Sequence, residues 1–188
     1  MLKPTPVPVL GFAAYSGSGK TTLLIELLPL LKQHGLRVGL IKHTHHSFEI
    51  DYPGKDSYEL RRAGASQLLI GSKQRWALMV ESDSTEGATL TDLIQYLHQD
   101  RLDLILVEGF KLDTIPKIEI HRPSLGKPLL FPTDPAFIAI ATDAPLAMPV
   151  TLPLLDLNQP PAIADFIINY CFIAPGQAHS FSQADYGY

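Results

Sequence analysis

The 188-residue chain contains a single cysteine, Cys171, so no disulfide can form within it. This cysteine lies in the apolar run 166–173 without a neighbouring base, and we expect it to be a small hydrophobic residue of the core. No apolar run reaches the ~20 residues that a helix needs to cross a bilayer. Residues 1–10 carry one lysine and three prolines, which is not a signal-peptide pattern. We therefore expect a cytoplasmic protein without a membrane partner.

The chain also lacks an excess of positive charge, since its 15 basic and 19 acidic residues leave a net charge of -4. A nucleic-acid-binding protein normally has a basic face, so we expect no nucleic-acid partner. Its 46% hydrophobic content indicates a packed core rather than a disordered chain. This length favours one domain, which we expect over residues 1–174. The polar, glycine-containing tail 175–188 is expected to be disordered.

Strand and helix patterns alternate along the chain. The apolar run 7–14 predicts a buried strand, and the glycine-rich segment after it leads into a helix over 20–34 with leucines on one face. Strands are further predicted at 38–41, 67–71, 77–81, 103–108, 117–121, 137–142 and 150–157, and helices at 57–63, 91–98 and 162–173. The order strand, glycine loop, helix, strand predicts an α/β fold of the P-loop NTPase class, with a mostly parallel sheet flanked by helices.

The segment from Ala14 to Thr21 matches the phosphate-binding loop pattern, with alanine where the strict pattern has glycine. Gly17 and Gly19 let the backbone curl so that N–H groups point at phosphate oxygens, and the helix that follows adds its N-terminal dipole. Lys20 would reach the β- and γ-phosphates, and the Thr21 hydroxyl would bind Mg²⁺. The predicted nucleotide-binding residues of this loop are Ser16, Gly17, Ser18, Gly19, Lys20, Thr21 and Thr22.

Two carboxylates directly follow predicted strands. Glu108 ends the strand at 103–108, where a P-loop protein places the second carboxylate of its magnesium shell. We assign Glu108 to the metal site with Thr21 and to catalysis. Because the usual residue is Asp, two roles stay open, namely reaching the metal through water or orienting the attacking water, and the alternative to both is a surface acid that caps the strand. Asp143 follows the strand at 137–142 and is our candidate to accept hydrogen bonds from guanine, which adenine cannot donate. The alternative is that Asp143 merely begins the turn before Pro145.

The polar loop after the second strand carries His43, His45 and His46, with Asp51 further along. In many NTPases this loop senses the γ-phosphate. Three roles stay open beside that of a plain solvated loop: completing the Mg²⁺ and water site, binding a second anionic ligand, or holding a transition metal. No cysteine or paired acid at zinc spacing accompanies the histidines. We assign Lys42 and His43 to ligand binding and Asp51 to catalysis.

The phosphate loop at 12–24 is shared by many families, but five further segments are more informative: GLIKHTHH at 39–46, DYPGKDSYELRRAGA at 51–65, QRWAL at 74–78, LDLILVEGFK at 102–111 and ATDAPL at 141–146. In these segments the chain resembles the MobB family of molybdenum cofactor maturation, and those at 39–46 and 51–65 are the most specific. No family pattern is recognised in the proline-rich region that follows or from Pro175 on.

The resemblance implies binding of GTP and Mg²⁺ with slow hydrolysis, a homodimer, and association with the guanylyltransferase that attaches GMP to molybdopterin. The protein would be an adaptor that stimulates this enzyme or helps deliver the molybdopterin cofactor. The apolar strands at 67–71 and 77–80 also favour a dimer, because their edges would otherwise stay unpaired.

Two other functions stay open. A small-molecule kinase would share the phosphate loop but needs an arginine-rich lid, and Arg61 and Arg62 on a short predicted helix are followed by no arginine cluster. A metal chaperone would instead use His43, His45 and His46 to bind Zn²⁺ or Ni²⁺ without nucleotide.

Overall fold

The computed structural model describes residues 7–44, 48–82 and 87–173. They form two compact units, of which one runs from Thr44 to Leu93 and the other comprises the chain on either side of it. The tail 175–188 and the histidines His45 and His46 lie outside the described residues. A single domain over residues 1–174 therefore stays a prediction.

The described strands are β1 (Val9–Ala13), β2 (Val38–Lys42), β3 (Gln67–Gly71), β4 (Trp76–Val80), β5 (Leu104–Glu108), β6 (Lys117–His121), β7 (Phe137–Thr142) and β8 (Leu154–Asp156). The described α-helices are α1 (Lys20–Gln33), α2 (Asp56–Arg62), α3 (Leu90–Gln95) and α4 (Pro160–Ile168). In the described part of the larger unit, six strands pair in parallel in the order β2-β5-β1-β6-β7-β8. The predicted fold class is confirmed.

Strand β5 lies between β1 and β2, so the first two strands of the chain are not neighbours. Glu108 at the end of β5 is in register with Phe12 of β1 on one side and with Lys42 of β2 on the other. The carboxyl ends of parallel strands share one edge of the sheet, which is where open α/β sheets bind ligands. The topology thus brings Glu108 beside the phosphate loop and beside the start of the histidine loop.

Helices α1 and α4 form the main apolar cluster of the larger unit together with alternate residues of the strands. The leucine spacing of α1 is the cause, since Leu23, Leu24, Leu27 and Leu31 are all buried. Gly35 follows the helix in the left-handed conformation, as the sequence predicts for the helix end. Cys171 is partly buried against the same cluster, and burial raises the pKa of its thiol to about 11, which fits an inert core residue.

Strand β6 is buried along its whole length although it alternates charged and apolar residues. Ile118 and Ile120 join the apolar cluster, and the intervening Lys117, Glu119 and His121 are also buried. The ammonium of Lys117 donates to the carbonyl oxygens of Lys111 and Asp113 and to the Asp134 carboxylate, at 2.7, 2.6 and 2.7 Å. The buried lysine of this strand therefore binds the irregular segments around 111–113 and 134.

Glu119 completes this polar side of β6. Its carboxylate accepts hydrogen bonds from the backbone N–H groups of Leu130 and Phe131, at 2.8 and 2.9 Å. Burial raises the pKa of Glu119 above its ordinary value, and those two hydrogen bonds only partly offset the effect. The segment at 130–131 is thus held to the sheet by a side chain of the central strand.

The smaller unit contains α2 and the antiparallel pair β3 and β4. Arg61 of α2 pairs with three carboxylates, those of Glu49, Asp51 and Glu81. These contacts, led by the hydrogen bond to Glu81, raise the pKa of Arg61 above its ordinary value. Arg61 thereby ties α2 to the segments before and after the two strands.

Three elements differ most from their predicted bounds. The helix predicted at 91–98 ends at Gln95, and the strand predicted at 150–157 is confined to Leu154–Asp156 within a proline-rich segment. The last helix begins earlier than predicted, because Pro160 and Pro161 occupy its first turn, where a missing N–H costs nothing. Among the described residues, the helices are too short or too polar to span a membrane.

Candidate nucleotide-binding site

The loop between β1 and α1 has the curled backbone that its glycines predict. Gly17 and Gly19 have φ angles of 82° and 87°, which residues with a Cβ rarely adopt. Ser18 is buried, and its hydroxyl donates to the carbonyl oxygen of Tyr15 at 2.7 Å, which closes the curl. A cavity of about 400 Å³ lies beside the loop and is lined by Ser16, Gly17, Gly19, Lys20, Thr21, Thr22 and Glu108.

Lys20 begins α1 and folds back over the loop. Its ammonium lies 3.4 Å from the carbonyl oxygens of Ala14 and Tyr15, so it is held only by long contacts. Burial lowers the pKa of Lys20, the Glu108 charge opposes this, and the nearby charges of Lys111 and Lys42 lower the pKa further. An anion bound in the cavity would favour the charged form of Lys20 and oppose the effect of burial.

Glu108 is the acid of the site. It is 7% exposed, its Oε1 accepts a hydrogen bond from the Thr21 hydroxyl at 3.3 Å, and its Oε2 lies 3.3 Å from the Lys42 ammonium. Two adjacent oxygen ligands of an octahedral Mg²⁺ lie ~3 Å apart, given bonds of about 2.1 Å. The oxygens of Thr21 and Glu108 fit such an ion, so these two predicted metal ligands are placed together.

His43 follows β2 and lies against the chain after Glu108. Its backbone N–H donates to the carbonyl oxygen of Glu108 at 2.8 Å, and its ring centroid is 4.5 Å from that of Phe110. A Cβ on Gly109, whose φ is 105°, would lie 2.8 Å from the Cβ of His43, so only glycine fits there. Lys42 and His43 are thus beside Glu108, although neither lines the cavity.

Asp143, the predicted guanine acceptor, is engaged by an arginine. Its Oδ2 accepts a hydrogen bond from Arg122, whose Nε also donates to the carbonyl oxygen of Ser18 at 3.0 Å. The other carboxylate oxygen of Asp143 is buried and makes no hydrogen bond within the described residues. No role was predicted for Arg122 from the sequence. Its place directly after the strand predicted at 117–121 was the signal that could have found it.

Asp51 lies in the smaller unit, where it is buried and paired with Arg61 at 2.8 Å. Burial by itself raises the pKa of Asp51, but hydrogen bonds from Arg61 and Ser57 outweigh it, and the pKa lies below its ordinary value. The Arg61 pairing gives Asp51 a structural role. Its catalytic assignment stays a prediction.

The histidine loop is only partly described. No group of three or more His, Cys, Asp or Glu side chains suited to a metal ion occurs within residues 7–44, 48–82 and 87–173. Because His45 and His46 lie outside these ranges, the transition-metal interpretation of the loop stays untested.

A family model described as molybdopterin guanine dinucleotide synthesis protein B matches residues 9–143, which is more than half of the chain. The chain belongs to the MobB family. The molybdopterin-guanine dinucleotide biosynthesis adapter protein of Escherichia coli is 49% identical over 90% of this chain and 97% of its own length. The protein of the same name from Haemophilus influenzae is 46% identical over 87% of this chain and 89% of its own.

A solved MobB structure agrees with this membership. The crystal structure of Bacillus subtilis MobB has a TM-score of 0.68 and 25% identity, and the match covers 90% of this chain and 99% of that chain. The family predicted from the segments at 39–46 and 51–65 is therefore confirmed.

Proposed function

We propose that this MobB-family chain binds Mg²⁺ and GTP and acts as an adaptor in molybdopterin-guanine dinucleotide biosynthesis. The observation that carries the proposal is the meeting of Lys20, Thr21 and Glu108 around one cavity at the carboxyl edge of the sheet. The adapter role comes from the names of the Escherichia coli and Haemophilus influenzae relatives.

The chain's own residues suit a bound triphosphate in three ways. The left-handed glycines Gly17 and Gly19 turn the loop around the anion, and Lys20 supplies the cation for the β- and γ-phosphates. Thr21 and Glu108 present oxygens spaced for Mg²⁺, which would neutralise phosphate charge. Ser16 and Thr22 line the remaining cavity wall.

Slow hydrolysis fits the surroundings of Glu108. Its carboxylate is contacted by both the Thr21 hydroxyl and the Lys42 ammonium, which favours a role in holding a metal shell over taking a proton from water. A protein that hydrolyses GTP slowly would keep it bound. This suits an adaptor that contacts the guanylyltransferase, the enzyme that attaches GMP to molybdopterin. His43, beside Glu108, is the residue we assign to contact with the molybdopterin cofactor or the γ-phosphate.

A homodimer is part of the proposal. In the antiparallel register of β3 and β4, Leu69, Trp76 and Val80 fall on one face of the pair, and they are 64%, 55% and 43% exposed. A second copy that covers this apolar face would remove it from water.

The binding half of the proposal is tested by equilibrium binding of a fluorescent GTP analogue with Mg²⁺. Lys20→Ala should weaken binding by about tenfold or more, because it removes the cation at the β- and γ-phosphates. Lys127→Ala removes one exposed lysine that does not line the cavity, and serves as the charge-matched control. Unchanged affinity in a folded Lys20→Ala protein would end the proposal.

The adaptor half is tested by reconstitution. The guanylyltransferase, molybdopterin and Mg²⁺–GTP are incubated with and without this protein, and molybdopterin-guanine dinucleotide is quantified. We expect the wild type to raise the yield and Lys20→Ala to raise it less. If instead nucleotide is consumed only when a small hydroxyl-bearing acceptor is added, the protein is a kinase and the adaptor proposal fails.

A further inference from the structure

The chain directly after Glu108 adopts an unusual backbone. Gly109 has a φ of 105°, and Phe110 has a φ of 47°, the one non-glycine residue with positive φ in the described ranges. Such conformations cost free energy in residues with a Cβ and persist where the surroundings hold them. Here the ring of Phe110 packs on His43, and the next residue is Lys111.

Lys111 is fixed at both ends. Its backbone carbonyl oxygen accepts a hydrogen bond from the buried ammonium of Lys117 at 2.7 Å. Its own ammonium lies 5.3 Å from the centroid of the Tyr15 ring, within the range of a cation–π contact. Tyr15 belongs to the phosphate loop, so this exposed lysine is held beside the loop by the loop's own aromatic ring.

Three charged groups act on the Lys20 ammonium beside the cavity. The Glu108 carboxylate favours its charged form, whereas the ammonium groups of Lys111 and Lys42 oppose it. Lys20 contacts the carbonyl oxygen of Tyr15, whereas Lys111 lies over the ring of the same residue. The two ammonium groups therefore approach the loop at one residue, and Lys111 comes from the β5 side, where Glu108 would hold the metal.

We propose that Lys111 is a further phosphate-binding residue that contacts the terminal phosphate of the bound nucleoside triphosphate. Thr21 and Glu108 would hold the metal that neutralises the terminal phosphates, and Lys111, which follows the same strand as Glu108, would add a positive charge on that side of the loop. Lys111 would then distinguish a triphosphate from a diphosphate. This inference rests on the proposed nucleotide site and adds to it a residue selective for the terminal group.

The test compares GTP and GDP affinities, each with Mg²⁺, in wild type, Lys111→Ala, Lys111→Arg and the control Lys127→Ala. Lys111→Ala should bind GTP about tenfold more weakly and GDP less than about twofold more weakly, because only GTP has the group that the ammonium meets. Lys111→Arg should regain most of the GTP affinity, since arginine keeps the charge and the contact with an aromatic ring. Lys127→Ala should match the wild type for both nucleotides.

Equal losses for GTP and GDP in Lys111→Ala, or no loss for either, would overturn the inference. A second variant, Tyr15→Leu, removes the ring under the ammonium, and we expect it to lower the GTP-to-GDP affinity ratio in the same direction. Lys20→Ala separates the two proposals. If it abolishes binding while Lys111→Ala keeps the wild-type ratio, the nucleotide site stands and only the role of Lys111 is wrong.

Discussion

Arg122 and Asp143 form an ion pair that joins the phosphate loop to the end of β7. The guanidinium donates to the Asp143 carboxylate and to the carbonyl oxygen of Ser18, and so spans the ends of three neighbouring strands. One Asp143 oxygen stays buried without a hydrogen bond in the described ranges, which costs free energy unless a ligand supplies a donor. The N–H groups of guanine are such donors.

The first prediction follows for base selectivity. Asp143→Asn should reduce the preference for GTP over ATP by about tenfold, because the amide replaces one acceptor with a donor. Competition binding of the two nucleotides measures it. If Asp143 only positions Arg122, then Asp143→Asn and Arg122→Ala will both weaken GTP and ATP equally, and the base-reading role is lost.

Glu108 gives the second prediction. Glu108→Gln keeps the shape but removes the charge that faces Thr21 and Lys42, so Mg²⁺ should strengthen GTP binding about tenfold less than in wild type. GTP titrations with Mg²⁺ and with EDTA measure this effect, and phosphate release should slow in parallel. If Mg²⁺ strengthens GTP binding equally in Glu108→Gln and wild type, and phosphate release is unchanged, Glu108 has no role in the metal site and only ends a strand.

The third prediction concerns the buried lysine of β6. Lys117→Met removes the donor to two carbonyl oxygens and to Asp134, and it should lower the free energy of unfolding by about 3 kcal/mol. Urea denaturation measures the change, with Lys127→Met as the exposed control, for which we expect no loss. A Lys117→Met protein as stable as wild type would mean that methionine packing replaces the network.

The fourth prediction is a pH dependence. Arg37 donates to Asp103 through its side chain and backbone, at 2.8 to 3.0 Å, and lowers the pKa of Asp103 from 3.8 to about 2. A carboxyl whose folded pKa is lowered stabilises the fold above its unfolded pKa and loses this effect as the pH falls through the folded value. Wild type should therefore exceed Asp103→Asn in stability at pH 6, and the difference should shrink between pH 4 and 2. A pH-independent difference in denaturation midpoint contradicts this.

The fifth prediction tests the dimer. Leu69→Glu places a charge on the exposed face of β3 and β4, and light scattering at micromolar concentration should show the mass fall from dimer to monomer. Ile173→Glu, at a residue of similar exposure in the π-helical segment Asn169–Ile173, should leave the mass unchanged. A monomeric wild type, with and without GTP, rules the dimer out.

Local patterns were sufficient to predict most of the framework. The leucine spacing and Gly35 predict α1 within one residue, and the bounds of β6 and β7 are those predicted. The apolar run before Glu108 predicts its place at a strand end, because buried parallel strands are apolar throughout.

Contacts between distant segments could not be predicted in this way. Arg122 lies 104 positions from Ser18, and Lys111 meets Tyr15 across the sheet edge only because β5 inserts beside β1. Strand order, which no local pattern encodes, decides which side chains meet. The Arg61 pairing of Asp51 spans only 10 positions, but it also escapes local patterns because it depends on α2 folding back onto the preceding loop.

The alternation of charge along β6 has a consequence for engineering this fold. Irregular chain covers a sheet only when its backbone N–H and C=O groups find partners, and here Lys117 and Glu119 supply them from the strand itself. Strand β6 and the irregular segments that cover it therefore have to be exchanged together. A graft of the covering segments at 110–116 and 122–134 from a relative should bring that relative's β6 with it, because exchanging either part alone would leave a buried charge without its partner.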